Sequence, residues 1–139
     1  MSQFTEKLIV SLKKDGTHWE LEAPFEYYTE IFDKKVYIKV PKGFLTDFAS
    51  IPKIFHSFIS DKDKYNKASV IHDYLYYTAI FDRKTADKIF LEAMEVLNIH
   101  PVKRYIFYLS VRIFGILAWK KHRKQNHSIK DFLEVKNEL

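Results

Sequence analysis

Residues 68–78 read Ala68-Ser69-Val70-Ile71-His72-Asp73-Tyr74-Leu75-Tyr76-Tyr77-Thr78, and the architecture turns on this stretch. Ala68, Ile71 and Leu75 recur at helical spacing, which makes it the first convincing helix of the chain. Upstream the period is that of strands. Val36-Tyr37-Ile38-Lys39-Val40 is a strong strand closed by Pro41, and Asp33-Lys34-Lys35 before it is a turn. Phe25 to Thr29 is a further strand with Phe25, Tyr27 and Thr29 on one face. Lys7 to Leu12 is rich in β-formers, and the turn Lys13-Lys14-Asp15-Gly16 leads to a hairpin partner over Thr17 to Leu21. An antiparallel sheet of three or four strands is expected.

Downstream the period stays helical. Asp82 is placed to cap a second helix whose apolar face is Ala86, Ile89, Phe90, Ala93, Met94 and Leu97. Pro101 suits the first turn of a third helix running to about Lys121. Ser128 with Asp131 resembles a capping box opening a short tail helix with Ile129, Phe132 and Leu133. The fold class is therefore α+β, a sheet followed by three to four helices in one domain over 1–139. Strands dominate 1–45, a packed loop covers 46–67, and 68–139 is helical.

Size and composition agree. A chain of 139 residues with 47% hydrophobic and 17% aromatic residues encloses one core and is too apolar for disorder. Cysteine is absent, which excludes disulfides and thiolate metal sites. The start Met1 to Lys7 lacks the apolar run of a signal peptide. Tyr105 to Trp119 is very apolar, but Arg112 interrupts it and its 15 residues fall short of the ~20 needed to cross a bilayer, so it reads as a buried central helix. Much of the net charge of +5 sits in Lys120-Lys121-His122-Arg123-Lys124, a run of the kind that meets nucleic acid, anionic lipid or an acidic partner. A solvated helix end whose cations offset the helix dipole is the favoured reading.

The chemistry-bearing residues gather around His72-Asp73. Tyr76 lies four residues after His72, on a neighbouring part of the same helix surface. If the next helix folds back antiparallel across the short Ala79-to-Phe81 connection, Asp87 in its first turn comes near His72. A carboxylate beside an imidazole fixes its tautomer and favours its action as a general base. Asp73 is expected to point elsewhere on the helix, where its oxygens suit a hard cation. Asp47, with Thr46 and Ser50 beside it, is interleaved with Phe44, Phe48 and Ile51 in the packed loop. Unpaired polar groups in so apolar a setting are costly, so these residues are expected to pair with each other or with a metal. His56 is a further candidate ligand, whereas His18, His100, His122 and His127 have no partnered carboxylate nearby in sequence. Zincin spacing, a P-loop, a dinucleotide glycine fingerprint and a nucleophile elbow are all missing.

Three blocks carry a resemblance. Gly43-Phe44-Leu45-Thr46-Asp47-Phe48-Ala49-Ser50-Ile51-Pro52, then Ala68 to Tyr76, then Arg83-Lys84-Thr85-Ala86-Asp87-Lys88-Ile89-Phe90 resemble the DUF1353 family in order and spacing, over about Val36 to Trp119. That family is found mainly in tailed phages and prophages, and its function is unknown. The resemblance implies phage origin, with the host cytoplasm or the virion as the setting. More loosely, His72-Asp73-x-x-Tyr76 followed by Ala86-Asp87-x-x-Phe90 is similar to the helix pair of phospholipase A2-type enzymes. There the histidine activates water, the adjacent aspartate binds calcium and an aspartate on the second helix orients the histidine. These roles fall on His72, Asp73 and Asp87. That family's glycine-rich calcium loop and helix-bracing cysteines have no counterpart here, and Gly43 to Pro52 stands in the loop's place.

Two readings follow. In the first the protein is a metal-assisted hydrolase, with His72 and Asp87 catalytic, Asp73 and Asp47 holding Ca²⁺ or another divalent cation, and Thr46, Ser50 and Tyr76 in support. Its substrate is a lipid ester or a cell-envelope component. In the second the same residues form a structural hydrogen-bond network in a non-catalytic virion component or partner-binding protein. Its partners are then other phage proteins or a host-envelope component. Nucleic-acid binding through Lys120 to Lys124 and Arg112 is disfavoured by the 18 acidic residues spread along the chain.

Overall fold

The computed structural model describes residues 3–4, 7–47 and 62–132. Six short strands come first: β1 (Gln3–Phe4), β2 (Val10–Leu12), β3 (Trp19–Leu21), β4 (Phe25–Thr29), β5 (Val36–Val40) and β6 (Leu45–Thr46). Three long helices follow: α1 (Lys62–Thr78), α2 (Arg83–Val96) and α3 (Pro101–Lys124), and the chain turns helical again at 130. The α+β order expected from the sequence holds. The strands form two antiparallel three-stranded sheets, in the orders β1-β4-β5 and β2-β3-β6.

Alternation decides which face of each sheet is covered. Phe25, Tyr27 and Thr29 of β4 are wholly buried, as are Ile38 and Val40 opposite them on β5, while Tyr37 and Lys39 turn outward. Thr29 is buried without penalty because Glu92 of α2 accepts from its hydroxyl at 2.7 Å and from the Tyr27 phenol at 2.5 Å. Gly16 takes φ +74° in the turn joining β2 to β3, a conformation glycine adopts without a Cβ penalty.

The helices end as their sequences dictate. Asp82 caps α2 by accepting from Thr85 N at 2.8 Å, and Pro101 occupies the first turn of α3. Each helix stops at a residue of positive φ (Ala79, Asn98 and Asn126), two of them the asparagines that tolerate this region best. The tail repeats the logic, since Asp131 accepts from Ser128 N at 3.1 Å in the expected box.

Two expectations need correction. The first helix begins at Lys62, six residues before the Ala68 at which periodicity starts, so residues 62–67 belong to α1 and not to a loop. Leu45–Thr46 is likewise a strand, paired with β3 through Trp19↔Thr46 and Glu20↔Leu45. The second correction concerns the centre of the molecule. That position belongs to α1, which packs against both α2 and α3 and touches β5 and β6. Its residues Ala68 to Leu75 are buried apart from a half-buried Asp73. The very apolar α3 lies on the outside, with Leu109 55%, Ile113 63% and Leu117 72% exposed.

Candidate functional site

One turn of α1 separates His72 from Tyr76, so both project over the same neighbour on α2. That neighbour is Asp87, which is 0% exposed. Its Oδ1 accepts from His72 Nε2 at 2.7 Å and from the Tyr76 phenol at 2.6 Å. On the other oxygen, Oδ2, it meets Arg112 Nη1 of α3 at 2.7 Å and Arg83 Nη1 at 3.4 Å. Burial opposes ionisation of Asp87, but hydrogen bonds and charge from His72, Tyr76 and Arg112 outweigh it and hold the carboxyl below its ordinary range. Burial also pushes the Tyr76 phenol up, reinforced by Asp87, so Tyr76 remains a donor.

The arrangement fixes the imidazole. With the carboxylate accepting from Nε2–H, the lone pair of the neutral ring sits on Nδ1. That atom makes no hydrogen bond to any described residue, and His72 lines a cleft of ≈ 610 Å³. The ring itself is wedged between Tyr76 and Phe90, at centroid distances of 4.2 and 4.7 Å. The cleft volume falls in the range of ordinary ligand pockets.

A second polar pair reaches the same cleft from the sheet side. The Thr46 hydroxyl of β6 donates to Asp73 Oδ2, tying β6 to α1. Thr46 is buried, Asp73 half-buried and Asp47 exposed, and all three line the cleft. Thus Thr46, Asp47, His72, Asp73 and Tyr76 face one cavity, with Asp87 sealed behind His72. Ser50 and His56 lie outside the described residues. No group of three or more His, Asp or Glu side chains able to hold a metal occurs among the described residues. The carboxylates lining the cleft among the described residues are Asp47 and Asp73, and two carboxylates fall short of an all-protein cage for a hard cation.

Three residues of the site escaped the sequence reading. Arg112 entered it as a break in an apolar run and as a disfavoured nucleic-acid contact, yet it is the closer of the two arginines to Asp87. Arg83 Nη1 also donates to the Val111 and Arg112 carbonyls at 3.1 and 3.3 Å, latching the start of α2 to the middle of α3. Gly115 completes the set, because an added Cβ would lie 2.6 Å from the Tyr76 phenol oxygen. The signals present were a lone charge in an apolar helix, an arginine four residues before the aspartate and a solitary mid-helix glycine.

The basic run needs dividing. Lys120, Lys121 and Lys124 are exposed, as a solvated helix end requires. Arg123 instead turns inward, and its Nη2 donates to the carbonyls of Tyr76, Tyr77 and His127 at 3.0, 2.6 and 3.1 Å, capping the end of α1. His18 also departs from expectation, since Asp15 three residues earlier meets its Nδ1 at 2.7 Å.

His122 and His127 face each other with Nδ1 atoms 2.8 Å apart, and Tyr77 stacks on His127 at 4.2 Å. Burial, followed by the charges of His127, Arg123 and Lys121, pushes the His122 imidazole down from 6.5 to about 4. Between those values the unfolded chain binds more protons than the folded one, so stability is full above pH 6.5 and falls on acidification toward pH 4. After discounting for screening at this half-buried site, the loss is about 1–2 kcal/mol. Urea unfolding at both ends of this window should show it for the native protein, and His122→Gln should flatten the difference.

No curated protein and no solved structure matches the chain. A family model described as "Protein of unknown function (DUF1353)" matches residues 19–111, a span containing every residue around Asp87 except Arg112 and Gly115. The match covers more than half of the chain, which therefore belongs to the DUF1353 family.

Proposed function

We propose that the protein is a hydrolase in which His72 activates water, and one observation carries this. The His72 ring is anchored through Nε2 to a buried carboxylate, while its Nδ1, without a partner among the described residues, belongs to a side chain lining a cleft large enough for a substrate. In the step envisaged, Nδ1 takes a proton from water as the oxygen attacks a carbonyl or phosphoryl centre. Asp87 stabilises the imidazolium that forms, and Tyr76, Arg112 and Arg83 keep Asp87 ionised and in place. The leaving group then recovers the proton from Nδ1. Asp73 and Asp47 would hold Ca²⁺ or another divalent cation, which polarises the scissile group when bound. The likeness of His72, Asp73, Tyr76 and Asp87 to the phospholipase A2-type helix pair supports a lipid ester as substrate. On the DUF1353 resemblance we place the protein in a phage or prophage, acting in the host cytoplasm or from the virion on the host envelope.

A second reading rests on a specific observation: Asp87 is saturated by four donors, and Thr46 engages Asp73, as a purely structural network would require. The test assays purified protein on short- and long-chain phosphatidyl and carboxylic esters with calcium, magnesium or a chelator. The hydrolase reading expects divalent-dependent turnover that His72→Ala abolishes and Asp73→Asn weakens. It also expects the cation to raise the melting temperature of His72→Ala but not of Asp73→Asn. Absence of turnover on every ester, with no thermal response to any cation, would leave the structural network and a virion or partner-binding role.

A further inference from the structure

The outward side of α3 is apolar along most of its length. Val102, Tyr105, Leu109, Ile113 and Leu117 follow one another at steps of three and four residues, each more than half exposed, and Phe114 beside them is 49% exposed. A surface helix of a self-sufficient domain presents charge on this side. Apart from Arg112, which turns to Asp87, the charge of α3 is instead displaced to its ends, and all of it has one sign. The helix carries seven Lys and Arg residues and no Asp or Glu, and Lys120, Lys121 and Lys124 stand exposed beyond the end of the stripe.

These features select the occupant. A second copy of the chain fits poorly, because pairing two α3 helices in either direction brings cationic ends together. From Val102 to Leu117 the stripe is ~22 Å long and roughly 10 Å wide, far below the ~800 Å² per partner of a stable dimer. Crossing a membrane is also excluded for this helix, as no helix among the described residues is long and apolar enough. An apolar strip flanked by lysines, lying flat, matches the boundary of an anionic bilayer, with side chains among the acyl chains and ammonium groups at the phosphates. We infer that α3 docks the protein on the surface of an anionic lipid bilayer through Tyr105, Leu109, Ile113 and Leu117, with Lys120, Lys121 and Lys124 at the headgroups. Phe114, Leu117 and Lys121 also line the cleft of His72, so docking would bring its mouth to the lipid. The inference stands without the hydrolase reading.

Co-sedimentation of the full chain with vesicles tests it. Vesicles of phosphatidylcholine with one third phosphatidylglycerol should bind the protein, and pure phosphatidylcholine vesicles should bind it at least about tenfold more weakly. Raising the salt to about 0.5 M should reduce binding to the charged vesicles, because the Debye length shrinks to a few Å. Leu109→Asp with Ile113→Asp should abolish binding, and Lys120→Glu with Lys124→Glu should weaken it by more than tenfold, about fivefold for each lysine. None of these four residues lines the cleft, and circular dichroism of each variant verifies folding. His72→Ala should bind like the native chain, so failure of catalysis and failure of docking are told apart. Equal binding to both vesicle types, no binding to either, or a dimer in sedimentation equilibrium that Ile113→Asp dissociates would overturn the inference. So would an acidic protein partner captured through the same residues without any vesicle binding.

Discussion

Replacing Asp87 by alanine is expected to destabilise the protein by about 3–5 kcal/mol, the range for breaking a buried ion pair from one side. The carboxylate is 0% exposed and satisfies His72, Tyr76, Arg112 and Arg83 together. Its removal orphans the Tyr76 phenol and His72 Nε2 in a buried setting, each costing about 1–3 kcal/mol. Arg112 adds less, because its side chain is 29% exposed and can turn to water. In a domain of this size the loss lowers Tm by roughly 10–15 °C. Asp87→Asn separates charge from shape: the amide fills the space but gives up the anion facing two guanidinium groups. It should cost about 2 kcal/mol and, if His72 is a general base, lower turnover by about 10²–10⁴-fold. The pH dependence has a definite sign. Because the Asp87 carboxyl is held below its ordinary 3.8, its contribution is present above that pH and lost as pH falls below it, and the asparagine variant should lack this loss. A Tm for Asp87→Ala within a degree or two of the native value would mean that the network holds nothing together.

How much of this was legible in the sequence can be judged residue by residue. The His72–Asp87 pair was, because both its ingredients are local. A helical period fixes where His72 points, and a short connection followed by a capped helix forces Asp87 back alongside it. Tyr76 came with it through i,i+4 geometry. Arg112 did not, because its contact depends on how a third helix docks, which no local pattern encodes. Residues 62–67 were read as loop for a related reason. Lys62-Asp63-Lys64 presents no apolar face, although Tyr65 in the next position is 4% exposed. The misplacement of α3 is the most instructive case. A helix apolar on all sides is ordinarily buried, and the rule identifies surfaces that avoid water without saying whether this chain supplies the cover. Among the described residues α1 and α2 pack against one side of α3, and the other side is the one we assign to the bilayer surface.

Gly115→Val is expected to cost at least about 3 kcal/mol, although glycine in a helix is ordinarily the weaker residue by about 1 kcal/mol against alanine. Even a bare Cβ would stand 2.6 Å from the Tyr76 phenol oxygen and 3.3 Å from two ring carbons. Tyr76 is 3% exposed, with Trp119 packed edge-on at 5.3 Å and its hydroxyl held by Asp87, so it cannot swing away cheaply. Relief must come from a shift of α3 or from breaking the Tyr76–Asp87 bond. Either change loosens the carboxylate that orients His72, so a substitution on α3 should be felt on α1 and α2. A double-mutant cycle isolates the contact. Gly115→Ala alone should destabilise by about 1–3 kcal/mol as overpacking does. Combined with Tyr76→Phe, which deletes the clashing oxygen, it should cost clearly less than the two single changes added together. Additive costs would mean that Gly115 serves only the local backbone of α3. A coupling of ~1 kcal/mol or more would make the glycine part of the support for Asp87, with the close approach of α3 as the reason that position carries no side chain.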